Sequence, residues 1–164
     1  MSNLTKPYVL PIYAIESFNS SKGLIFEIEK FLKNEFKIEK IEHLHKLKEK
    51  NNTLEFGTDQ CTFIHKKIYS NFDQNENSEI INLYRKLSLE TINFLIDFFG
   101  VKEWVFQRFP SLRVQFPNNI SVFEFHRDST YNHPLGEINH FLAITNANES
   151  SALQIEQTLG WENY

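Results

Sequence analysis

Cysteine is nearly absent from this sequence: Cys61 stands alone among 164 residues. No intrachain disulfide can form, and a reducing compartment, the cytoplasm, is the expected location. A structural zinc site built from several thiolates is excluded by the same count. Glycine is scarce as well. The five glycines, Gly23, Gly57, Gly100, Gly136 and Gly160, are too scattered to spell G-x-G-x-x-G or G-x-x-x-x-G-K, which removes the Gly-rich cradles for dinucleotides and nucleotide phosphates. Long apolar runs are missing. Nothing approaches the roughly 20 consecutive apolar residues of a membrane span, and the opening MSNLTKPYVLPIYAIESFNSS lacks the basic start and unbroken apolar core of a secretory signal. Basic charge is neither abundant nor clustered. With 17 Lys and Arg against 21 Asp and Glu, neither nucleic acid nor an anionic membrane is an expected partner.

What is present suits one folded unit. Hydrophobic residues make up 41% of the chain and Phe alone accounts for 16 positions, enough to build a core in a single domain over residues 1–164 without disulfide or metal support. The first 100 residues read as mostly helical. Over 22–37, Leu24, Ile25, Ile28, Phe31, Leu32 and Phe36 recur at steps of three and four, the signature of an amphipathic helix. Residues 38–50 extend that helix or form a second, highly charged one, in which His43 and His45 are expected to face water. The stretch 61–69 alternates loosely and reads as a short strand or extended arm. The strongest helical pattern covers 78–99: Ile80, Ile81, Tyr84, Leu87, Thr91, Leu95, Phe98 and Phe99 form its stripe, with Ser78 as N-cap and Gly100 as the C-terminal glycine. Beyond Gly100, short β-rich runs at 104–108, 112–116, 121–128, 138–145 and 153–158 alternate with turn residues, the spacing of an antiparallel sandwich or barrel.

One of these runs carries a chemical signature. In a strand over 121–128, Val122, Glu124, His126 and Asp128 share one face, and Phe123, Phe125 and Arg127 the other. An imidazole and a carboxylate two residues apart on one face can reach a single ion, as in the two-His, one-carboxylate facial triad of non-haem iron(II) oxygenases. The bland alternative is an exposed strand end whose His is satisfied locally. A kinase catalytic loop also begins H-R-D, but it needs Asn five residues after the Asp, where this chain has His133.

The surrounding text, FPSLRVQFPNNISVFEFHRDSTYNHPLGEINHFLAIT over 109–145, resembles a bacterial branch of the iron(II)/2-oxoglutarate-dependent dioxygenase superfamily related to proteins of streptomycin-type aminoglycoside biosynthesis. The matching residues are Arg113, Gln115, Pro117, His126, Asp128, Tyr131, His133, Pro134, Glu137, Asn139 and Thr145. An H-K-x-x-Y arm at His65 to Tyr69 and an A-L-x-x-E stretch at Ala152 to Glu156 extend the likeness to about 61–160. The resemblance implies an α+β fold in which N-terminal helices pack on a partial double-stranded β-helix of the jelly-roll or cupin kind, residues 101–164 supplying its first strands. It implies iron(II) and 2-oxoglutarate as cofactors, with His126 and Asp128 as metal ligands. Arg113, Gln115, Tyr131 and Asn139 would line the same cavity, and a small metabolite would be hydroxylated.

The chain departs from the pattern in two places. No His follows His140 and no Arg follows Arg127, so the distal His ligand and the Arg that pairs with the far carboxylate of 2-oxoglutarate are missing. The expectation is therefore an oxygenase, or a truncated or inactive member of the family with its barrel incomplete at the C-terminus. Unfinished sheet edges would seek a second copy of the chain or a complementing C-terminal chain. The alternative from another class is a non-catalytic β-sandwich binding or assembly module. His133 before Pro134 reads as a loop residue, and His140, on a face with Ile138 and Leu142, as a core or rim histidine.

Overall fold

A computed structural model of the chain describes residues 18–47, 62–115, 132–134, 137–148 and 152–153. Its elements run α1 (Asn19–Phe36), a short 3-10 helix (Ile41–Lys46), α2 (Phe63–Gln74) and α3 (Glu79–Phe99). The apolar stripe of α1 buries Leu24, Ile28 and Leu32. Its N-terminus has no side-chain cap of its own. Glu90 of α3 takes that role, accepting from the Ser20 hydroxyl at 2.7 Å and placing negative charge where the helix dipole favours it. Further along α1, Gly23 lies opposite Leu83, whose Cδ2 would stand 3.3 Å from an added Cβ. Ser20 beside Glu90 and Gly23 beside Leu83 make α1 and α3 antiparallel neighbours in close approach.

The boundaries of α3 follow its caps. The Ser78 hydroxyl accepts from the Ile81 N–H, and Glu79 opens the first turn. At the other end Gly100 adopts φ 68 and its N–H donates to the Ile96 carbonyl at 2.8 Å. A side chain there meets no steric neighbour, so Gly100→Ala is expected to cost about 1 kcal/mol through left-handed backbone alone. The urea midpoint should fall with an unchanged slope; an unmoved midpoint would contradict the cap.

Residues 61–69, expected as a strand or arm, belong instead to α2 from Phe63 onward. Ile64, Ile68 and Phe72 recur at steps of four and are 0–1% exposed, a helical period obscured in the sequence by the buried polar His65. The core joins these residues to Leu24, Ile28 and Leu32 of α1, Ile41 and Leu44 of the 3-10 helix, and Ile80, Ile81 and Leu87 of α3.

The α+β jelly-roll expectation is not met: among the described residues there are helices and no strand or sheet. The runs at 104–108, 112–115 and 138–145 contain no strand, while 116, 121–128 and most of 153–158 lie outside the described residues. Side chains of the helices meet the backbone where strand partners were expected. The Tyr84 hydroxyl donates to the Gln107 carbonyl at 2.8 Å, and Tyr69 and His65 hold Leu112 and Val114. Phe109, Leu112, Val114, Leu142 and Ile144 pack against the helical core. Their alternation satisfies a helical surface as readily as a second sheet, so period two alone did not decide the partner. No helix among the described residues is long and apolar enough to cross a membrane.

Candidate functional site

His65 and Tyr69 lie one helical turn apart on α2, a spacing that puts both on one face. The Tyr69 hydroxyl donates to the Leu112 carbonyl at 3.1 Å and accepts from the Leu112 N–H at 3.2 Å. Two residues on, the Val114 N–H donates to His65 Nε2 at 3.2 Å. Alternate residues of an extended segment are thus held by one helix face, much as a neighbouring strand would hold them.

The protonation state of His65 follows from these partners. Because Nε2 accepts from an N–H, it carries no proton, so the proton of the neutral ring sits on Nδ1. That nitrogen is 2.8 Å from the Thr62 hydroxyl, which accepts from it. Thr62 stands at the N-cap position of α2 without capping the helix backbone; its oxygen is committed to His65 instead. The His65 side chain is fully buried. Burial first, and the Arg113 charge second, push its pKa down to about 4.

The grip on Leu112 and Val114 decides where the intervening residues go. Leu112 and Val114 are half-buried against the helices, whereas Arg113 and Gln115 are exposed, on the opposite face of the extended segment. Two of the sequence-predicted residues are therefore brought together. Asn139 is exposed in a separate segment, beside His140, whose Nδ1 lies 3.1 Å from the Thr91 hydroxyl of α3. His126, Asp128 and Tyr131 lie outside the described residues.

The other histidines take structural or surface positions. His133 Nδ1 is 2.7 Å from Glu137 Oε2, in keeping with a loop role. His140 is itself exposed while Ile138 and Leu142 are half-buried; its ring meets Phe18 edge-on at 6.3 Å, and partial burial lowers its pKa. His45 is exposed, and His43 is half-buried rather than fully facing water. A groove of about 820 Å³ between the C-terminal ends of α1 and α2 and the start of α3 is lined by Asn34, Asn71, Asn75 and Glu76 among others, and includes none of the predicted site residues.

Iron(II) can be tested against the donors. One imidazole and one carboxylate, His126 and Asp128, are right in kind for it and one short of the facial set. Among the described residues no group of three or more His, Cys, Asp or Glu could hold a metal ion by itself. The fit is incomplete.

The described residues are those of a helical unit that presents an Arg-x-Gln segment held by the buried His65 and the half-buried Tyr69. No family model matches it, and no solved structure does. Among curated proteins it is similar to Streptomycin biosynthesis protein StrG of Streptomyces griseus, 30% identical over 100 residues, which cover 61% of this chain and 45% of that protein. The chain thus spans less than half the length of the relative it matches.

Residues that sequence reasoning underrated are His65 and Tyr69. They fall in the H-K-x-x-Y arm, and a strand over that arm puts His65 and Tyr69 on a face with Lys67. The available signal was the step of four joining Ile64, Ile68 and Phe72.

Proposed function

We propose that the chain contributes to an iron(II)- and 2-oxoglutarate-dependent oxygenase acting on a small metabolite. His126 and Asp128 are the two metal ligands it supplies, and Arg113, Gln115, Tyr131 and Asn139 are its contacts to 2-oxoglutarate or substrate. The observation that carries this reading is the ordered text R-x-Q-x-P followed by F-H-R-D-x-x-Y-N-H-P, in which a metal-binding pair follows an Arg-x-Gln segment at short range. Similarity to a protein named for streptomycin biosynthesis supports a role in small-molecule chemistry. The remaining metal ligand and the principal partner of the distal 2-oxoglutarate carboxylate come from outside this sequence in this reading.

The chain's own residues act here by binding and orienting. Arg113 offers a planar bidentate donor to a carboxylate, and the α2 clamp fixes the face from which it does so.

Anaerobic titration with iron(II) and 2-oxoglutarate tests the reading through the metal-to-ligand charge-transfer band. The band is expected with the full chain supplemented by the part of the streptomycin biosynthesis relative that lies outside the matched 100 residues, and lost in His126→Ala. No band with the chain alone and none with that supplement would overturn it.

A further inference from the structure

We propose that His65 and Tyr69 are positioning residues that fix the register of the extended segment, so that Arg113 and Gln115 are presented together to a carboxylate-bearing ligand. The inference rests on the oxygenase reading and names which residues, remote from the H-x-D pair in sequence, set up its ligand-binding face.

The geometry is specific. Three hydrogen bonds, two to Leu112 and one to Val114, join α2 to alternate residues of the segment. A slip by one residue would turn Arg113 and Gln115 toward the helices and Leu112 and Val114 outward. The half-buried apolar pair opposes that slip through packing on the core, but packing alone is tolerant of small shifts along the chain, whereas hydrogen bonds with donor and acceptor assigned are not. Tyr69 satisfies both backbone groups of Leu112, using its hydroxyl once as donor and once as acceptor. His65 is held in the accepting tautomer by Thr62, so the Thr62–His65–Val114 chain is fully committed. His65 also meets the Tyr69 ring at 6.3 Å between centroids, which ties the two anchors into one unit. A buried imidazole that serves only to fill space has no need of a tautomer fixed on both nitrogens.

The test uses the full chain, supplemented as in the charge-transfer titration, with 2-oxoglutarate as the probe. Amide hydrogen exchange at Leu112 and Val114 is followed in the wild type, His65→Ala, His65→Gln and Tyr69→Phe, and 2-oxoglutarate affinity is measured calorimetrically with iron(II) under anaerobic conditions. Loss of one net hydrogen bond should speed exchange of the corresponding amide by about tenfold, at Val114 in His65→Ala and at Leu112 in Tyr69→Phe. Affinity should fall about tenfold in His65→Ala and no further when Arg113→Ala is added, because both changes remove the same contact. Gln at position 65, whose amide oxygen can stand near the Nε2 position, should restore both readouts. Tyr69→Phe retains the ring and keeps the test decisive should His65→Ala fail to fold. Unchanged exchange in a folded variant, or an affinity loss fully additive with Arg113→Ala, would overturn the positioning role. A wild-type chain that binds no 2-oxoglutarate even with that supplement would overturn the oxygenase reading and the ligand with it, while the exchange data would still report on the register.

Discussion

Phe72→Ala is expected to lower the unfolding free energy by about 3–5 kcal/mol, the usual cost of emptying a large aromatic site in a packed interior. Phe72 is 1% exposed and sits where α2 meets the rest of the molecule. Its ring meets Tyr69 edge-on at 6.3 Å and Phe109 at 6.4 Å. Truncation therefore opens a void beneath both the clamp and the start of the extended segment. Domains of this size have only about 5–15 kcal/mol in total, so the variant should be close to unfolded at physiological temperature. Val105, 98% exposed, is the internal control; its change to Ala should stay within about 0.5 kcal/mol. Urea denaturation of the two variants side by side decides the matter. Comparable midpoints for both would contradict the assignment of Phe72 to the core.

The second large effect is a loss of stability in acid that traces to His65. Its pKa is lowered from 6.5 to about 4 in the folded chain, so the unfolded state binds its proton first as pH falls. The sign follows directly: the neutral, buried ring contributes fully above about pH 6.5 in the unfolded reference, and that contribution drains away as pH falls toward 4. The gap corresponds to about 3 kcal/mol. The physical events are the loss of the Nε2 lone pair that accepts from Val114 and the appearance of a cation in a dry site near Arg113. Urea midpoints at pH 7 and pH 4 should therefore differ markedly in the wild type and much less in His65→Gln, which does not titrate. An equal drop in both proteins would assign the acid sensitivity elsewhere. His140, whose pKa is also lowered by burial, acts with the same sign.

The helices were legible in the sequence where the apolar stripe was long and the caps explicit. Over 78–99 the period, the Ser78 cap and Gly100 all pointed to one answer, and α3 spans Glu79–Phe99 between those two caps. The 22–37 stripe likewise became α1, starting three residues earlier at Asn19 because Glu90, 70 positions away, stabilises its first turn. No local signal could have shown that. The charged segment after α1 became a 3-10 helix at Ile41–Lys46, held by only two buried residues, Ile41 and Leu44.

The errors share one cause. At 61–69 a polar histidine on the buried face masked a period of four. In the second half, β-rich runs by themselves do not specify β partners. Tyr69, Tyr84 and His65 instead use their polar atoms on the backbone of those runs, and such long-range side-chain bonds leave no trace in local composition. Of the candidate site, Arg113 and Gln115 were expected to line one cavity with His126 and Asp128; both are exposed, and His126 and Asp128 lie outside the described residues. Tyr69 and His65, which hold Leu112 and Val114 from 43 and 49 positions away, share one face only because α2 is a helix.

The central functional claim is that His126 and Asp128 hold iron(II), and anaerobic equilibrium dialysis with the metal tests it most directly. With the unmatched part of the streptomycin biosynthesis relative supplied, the wild-type chain should retain about one iron, and His126→Ala and Asp128→Ala should each lose at least tenfold in affinity, as expected when a direct ligand is removed. Iron retained equally by all three proteins, or by none, would contradict the account.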